Sequence, residues 1–79
     1  MNPFIEHIAK QAQVMRRSEA RVAGCVVSHP QQALDCSIGA LADEVGVSQP
    51  TVARFASAVG CSGFKSYKLQ LAQSMATGV

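Results

Sequence analysis

No acidic residue follows Glu44 in this chain of 79 residues. Before Gly46 the charges are mixed, with Lys10, Arg16, Arg17 and Arg21 against Glu6, Glu19, Asp35, Asp43 and Glu44. From Gly46 onward only Arg54, Lys65 and Lys68 remain. The net charge of +2 hides this asymmetry, and a half whose charges are all positive points to a polyanionic partner.

Other absences narrow the classes further. No run approaches the ~18 apolar residues that span a bilayer, so no membrane partner is expected. The start, MNPFIEHIAK, has no basic region followed by an apolar run and a small-residue cleavage site, so export is not expected and a cytoplasmic location is. The cysteines Cys25, Cys36 and Cys61 are odd in number and irregularly spaced. They exclude a secreted disulfide framework and read as small buried hydrophobes in a reducing compartment. Cys25, His29 and Cys36 lie near one another in sequence, but there is no CxxC or HxxxH pair. Zinc's four ligands cannot be gathered from them, and no metal is expected. The two histidines, both in the acidic half, supply no converging acid, base or nucleophile. No catalytic residue, cofactor or enzyme activity is expected.

Strand signals are missing too: no sustained alternation, a single tyrosine, and no turn dipeptide between alternating runs. What is present is helical periodicity. A first helix is predicted from Pro3 to about Arg17, with Ile5, Ile8, Ala12 and Met15 in one apolar stripe. Ser18 is expected to cap a second, with Glu19 in its first turn and Ala20, Ala23, Val26 and Val27 inward, ending before His29-Pro30. Pro30 opens a short helical turn anchored by Leu34. Ser37 caps IGALADEV, which Gly46 terminates. Ser48 caps a helix to about Val59, closed by Gly60. A last helix runs from about Gly63 to Met75, and the tail ATGV is expected to fray. The fold class expected is all-α: one domain over residues 1–79, a small bundle of about five helices containing a homeodomain-like helix-turn-helix at about 37–60. A core this small is marginal alone, so a partner chain or domain is expected.

The central stretch LADEVGVSQPTVARFASAVG carries the functional signal. A steep corner between two helices needs a positive φ, which Gly46 permits. It needs a small contact residue one turn earlier, which Ala42 supplies. Apolar locks are also needed, and Leu41, Val45, Val47, Val52 and Phe55 fit. This is the helix-turn-helix pattern. Unrolled at about 100° per residue, the second helix turns Val52, Phe55, Ala56 and Val59 inward. Pro50, Arg54 and Ser57 face outward, flanked by Thr51, Ala53 and Ala58. That surface is slim enough for a major groove, with Arg54 suited to guanine O6 and N7, Gln49 to adenine, and Pro50 to a thymine methyl. Thr51 joins Gln49 and Arg54 as a candidate base reader. Ser48 is expected to cap the helix and aim its free N–H groups at phosphate. A second phosphate contact is expected at CSGFKSYK, through Lys65, Ser66 and Lys68, because lysines at a helix start are not explained by the helix dipole.

The stretch SIGALADEVGVSQPTVARFASAVGCSGFKSYKLQLA, Ser37 to Ala72, resembles the N-terminal domain of the RpiR family of bacterial transcription regulators. VS followed by TVARF, and VGCSGFKSYKLQLA, carry the likeness, and SEARVAGCVVSHPQQALDCSI resembles the family's second helix and connector. Within the family the chain looks most like regulators of hexose catabolism. The resemblance implies double-stranded DNA binding by a homodimer on an inverted-repeat operator, in a regulator (here taken as a repressor) of carbohydrate metabolism. It also implies a sugar-phosphate effector acting through a C-terminal domain that these residues do not include. Ala53 and Ser57 depart from the larger residues common around the arginine. The competing reading is a helical dimerisation or protein-interaction module that uses the same apolar faces and touches no DNA.

Overall fold

Asn2 starts the first helix. Its side-chain oxygen accepts hydrogen bonds from the backbone N–H groups of Phe4 at 2.8 Å and Ile5 at 3.3 Å, satisfying donors that a helix start leaves unpaired. The structure, a computed structural model, describes residues 2–76. Among them are six helices and no strand: α1 (Pro3–Ala12), α2 (Arg17–Ser28), α3 (Pro30–Asp35), α4 (Ile38–Val45), α5 (Gln49–Ala58) and α6 (Phe64–Ala76). The expected all-helical bundle is what forms, with the short turn after Pro30 as the sixth helix. Of the expected frayed tail, Ala76 is helical and the rest lies outside the described residues.

Two boundaries differ from the sequence expectation. α1 ends at Ala12, not near Arg17. The N–H groups of Gln13 and Val14 reach back only three residues, to the carbonyls of Lys10 at 3.2 Å and Gln11 at 3.0 Å. That tightening closes the helix, leaves Val14 exposed and still lets Met15 pack against the core. α2 then begins one residue before the predicted cap. Arg16 is the extended residue at its start, without a side-chain cap bond, and Ser18 sits inside the first turn. An apolar stripe predicts which face is buried but continues unchanged through a corner, so it does not mark the end of the rod.

The core is built from Ile8, Val22, Val26, Leu41, Val52, Phe55, Tyr67 and Leu71, all fully buried. In α3 the buried residue is Ala33, with Leu34 only at the core's edge. This short helix contacts both α2 and α6. Tyr67 is the hub of an aromatic cluster. Its ring meets Phe55 edge-on at 5.2 Å between centroids and lies tilted to Phe64 at 5.4 Å and Phe4 at 6.4 Å, arrangements that aromatic quadrupoles favour. Two polar contacts tie the first helix and its cap to the C-terminal part of the chain: Asn2 Nδ2 donates to Ser74 Oγ at 2.9 Å, and His7 Nε2 donates to the Val59 carbonyl at 3.1 Å.

The Tyr67 hydroxyl is buried without a hydrogen-bond partner among the described residues, and burial pushes its phenol far above the usual range. A buried, unpaired hydroxyl costs free energy while its ring contributes packing. Tyr67→Phe is therefore expected to stabilise the domain by about 1 kcal/mol, read as a higher melting temperature. A clear loss of stability would mean the hydroxyl is hydrogen-bonded after all.

Candidate nucleic-acid interface

The corner between α4 and α5 is assembled from residues that each meet one geometric demand. Ser37 Oγ accepts the Ala40 N–H at 3.2 Å and starts α4. At its other end Gly46 takes φ 82° and ψ 38°, a left-handed conformation that side chains resist. This turns the N–H groups of Gly46 and Val47 onto one carbonyl, that of Ala42, at 2.8 and 2.9 Å. Ala42 is buried, as a close helix crossing requires. Arg21 of α2 adds a bolt: its Nη2 donates to the Val45 carbonyl at 2.9 Å, placing a cation on the negative end of α4. Ser48 then takes an extended conformation, and its Oγ accepts the Thr51 N–H at 3.3 Å to open α5.

α5 divides as its periodicity predicts. Val52, Phe55, Ala56 and Val59 are buried, while Gln49, Pro50, Ala53, Arg54 and Ser57 are exposed. Pro50 lies in the first turn, where its missing N–H costs nothing. The outward face is therefore short side chains around one guanidinium, bordered at the helix start by Gln49. The Gln49 carboxamide lies back over α4, beside Gly39.

Arg54 is not a loose surface cation. Its Nε donates to Oε2 of Glu19 at 3.3 Å, and its Nη2 donates to Thr51 Oγ1 at 3.0 Å. Thr51 Oγ1 in turn lies 2.9 Å from Ser48 Oγ. A polar chain thus runs from α2 through Arg54 and Thr51 to the cap of α5. Glu19 is 7% exposed, whereas the Arg54 side chain remains 52% exposed. The carboxylate is fixed in the protein while the guanidinium stays in reach of solvent.

Thr51 departs from its expected place. It is 5% exposed and its hydroxyl is engaged on both sides, so it acts as a strut behind Arg54 and offers no free edge to a base. The reason is its offset of three from Ser48, which lays the two hydroxyls together at the cap. In the sequence Glu19 is only an acid suited to a helix start. Its pairing with a residue 35 positions away leaves no local mark; the one hint was a lone arginine in a helix with no acid nearby.

Lys65, Ser66 and Lys68 sit in the first turns of α6, whose start is marked by the Tyr67 N–H bonding to the Gly63 carbonyl at 3.0 Å. The two lysines line a shallow apolar groove with Leu34, Leu69 and Ala72, and no α5 residue borders it. The site residues expected from sequence therefore fall into two groups, one on α5 and its cap, the other on α6 beside α3.

All three cysteines are free thiols. Burial first, then the nearby Glu44 and Cys36, pushes the Cys25 thiol up; burial also raises Cys61, against the opposing hydrogen bond of Ser66. Neither is poised as a thiolate. Among the described residues no three His, Cys, Asp or Glu side chains converge on a metal position, and no helix is long and apolar enough to cross a membrane.

Two helices locked across a glycine corner, the second with a buried face and a slim polar face, define a helix-turn-helix domain. The chain belongs to the rpiR family of helix-turn-helix domains, whose sequence pattern matches residues 2–78. It is 42% identical over 78 residues to the HTH-type transcriptional regulator HexR of Pseudomonas aeruginosa, a match covering 99% of this chain and 27% of that protein. It is likewise 42% identical over 75 residues to HexR of Escherichia coli, covering 95% of this chain and 26% of the relative. A bifunctional protein glk of Paraburkholderia xenovorans is 36% identical over 70 residues, or 89% of this chain and 11% of that protein. The chain thus spans about a quarter of the length of the HexR relatives.

Because Glu19 is nearly buried, removing its partner leaves a poorly solvated charge. Arg54→Ala and Glu19→Gln are each expected to cost about 1–2 kcal/mol, below the full value of a buried pair because Arg54 is half solvated. In chemical denaturation the double variant should lose less than the sum. Strictly additive losses would show the two groups to be uncoupled.

Proposed function

We propose that this domain binds double-stranded DNA with sequence preference, laying α5 in the major groove, as the DNA-binding part of a longer regulator of carbohydrate metabolism. The observation that carries this reading is the state of Arg54. Two of its N–H groups are engaged by Glu19 and Thr51, while those on Nη1 and the second on Nη2 have no partner among the described residues. A guanidinium held from behind and open in front suits the bidentate acceptors of guanine. The neighbouring Ala53 and Ser57 are small enough for close approach, and no acid on α5 repels phosphate. Gln49 and Pro50 stand at the end of the helix that reaches base edges in this motif. Ser48 marks the helix start, where the N–H groups favour a phosphate oxygen.

The rest of the assembly follows the same reading. A single α5 covers one half-site, so a homodimer on an inverted repeat, with half-sites about one helical turn apart, is the arrangement that uses it twice. A sugar-phosphate effector would act through a part of the regulator beyond these residues, consistent with the quarter-length match to HexR.

Selection of duplexes from a random pool tests the reading directly. Arg54→Ala is expected to flatten preference at one position of the half-site, a loss of about 1–3 kcal/mol in discrimination. Uniformly weaker binding with the same preferred sequence would make Arg54 a phosphate contact.

Lys65 and Lys68 are proposed to touch phosphate. Neutralising either should weaken binding to all duplexes alike and shallow the log–log salt slope by about 1. An unchanged slope would assign them instead to the apolar groove with Leu34 and Leu69, and favour the protein-contact reading for that face.

A further inference from the structure

Resting on the DNA-binding reading above, we propose that Gly39 on α4 is a specificity-determining position for α5. Its lack of a side chain leaves the space in which the Gln49 carboxamide lies before DNA arrives. A glycine in the first turn of α4 calls for a reason. Its backbone does not supply one, since only Gly46 and Gly60 have positive φ among the described residues. Helix propensity argues against it, alanine being the better helix former. Its surroundings do supply one. A Cβ built on Gly39 would lie 3.2 Å from Nε2 and 3.9 Å from Cδ of Gln49, and nothing else outside the local backbone comes within 4 Å. The space a side chain at residue 39 would take is therefore occupied by the end of Gln49.

That side chain carries the right chemistry for reading. The Gln49 carboxamide makes no hydrogen bond among the described residues, so its donors and acceptor are uncommitted. It is exposed at the first position of α5, the end of the helix that meets base edges in this motif. A carboxamide there matches the N6 and N7 edge of adenine only if its plane is presented correctly. With Gly39 behind it, the chain of Gln49 can fold back along α4. A methyl at that point would press on the far end of a flexible side chain, which yields at little cost and turns elsewhere. Gly39→Ala thus moves a candidate reading group without removing it and without disturbing the fold.

The test compares Gly39→Ala with Gly24→Ala, each in the natural background and in Gln49→Ala. Gly24 lies in α2, and a Cβ there meets nothing within 4 Å, so its substitution controls for the general effect of replacing a helical glycine. Both alanine variants should melt no lower than the parent. In duplex selection Gly39→Ala is expected to change base preference about three- to tenfold at the position read by Gln49, a fraction of the discrimination a bidentate pair provides. Gly24→Ala should leave preference unchanged. In the Gln49→Ala background the effect of Gly39→Ala should vanish. Without DNA, the side-chain NH₂ resonances of Gln49 should shift in Gly39→Ala and stay put in Gly24→Ala. A parent protein that selects sequences, together with a Gly39→Ala variant that selects the same ones, overturns this inference while leaving DNA binding intact. A change in preference that persists without Gln49 overturns it equally, and a parent that selects no duplex removes both readings.

Discussion

A single carboxylate, that of Glu19, ties the presented helix to α2 through a polar contact. Nearly buried on α2, it would be costly alone, and the arginine that answers it comes from α5. The pair therefore adds a polar tie between α2 and α5 to the rotation that the buried face of Val52, Phe55 and Ala56 sets. Thr51 and Ser48 extend that constraint to the first residue of the helix. The same contact that orients the fold thus holds the guanidinium at the surface. The structural contact and the proposed recognition role fall on opposite edges of one side chain.

The cations of this small domain are divided by partner. Arg21 is committed to the C-terminal carbonyl of α4, and Arg54 is half committed to Glu19. Lys65 and Lys68 have no acidic partner among the described residues. Counting charge along the chain treats these residues alike, yet their partners rank them differently for phosphate. The half from Gly46 onward carries no acid of its own, and the carboxylate that reaches α5, that of Glu19, comes from α2 and is nearly buried behind Arg54.

Much of the fold was legible because its signals are local. Ser37, Gly46, Ser48 and Gly60 each mark a helix end through the conformation they favour, and all four sit where the sequence puts them. The end of α1 was not legible, because Gln13 to Met15 contain no residue that forces a break and the stripe persists across it. In α3 it is Ala33 that is buried and Leu34 that stays at the core's edge, a choice that hydrophobicity along the chain does not predict. At the interface, the outward positions of Gln49, Pro50, Arg54 and Ser57 follow from a 3.6-residue period. Glu19 and the inward turn of Thr51 do not, since both depend on two helices meeting at a particular rotation. The resemblance carried the family; it did not carry that contact.

α2 packs against α1, α3, α4 and α5, so most of the molecule is mounted on one rod. Such a hub would leave α5 little freedom to lose in the proposed docking. Conformational ordering is then completed at folding rather than at association. Docking of this kind should show only a small heat-capacity change from the protein side, and the thermodynamic signature of a complex would be set by the ligand's deformation and its displaced ions.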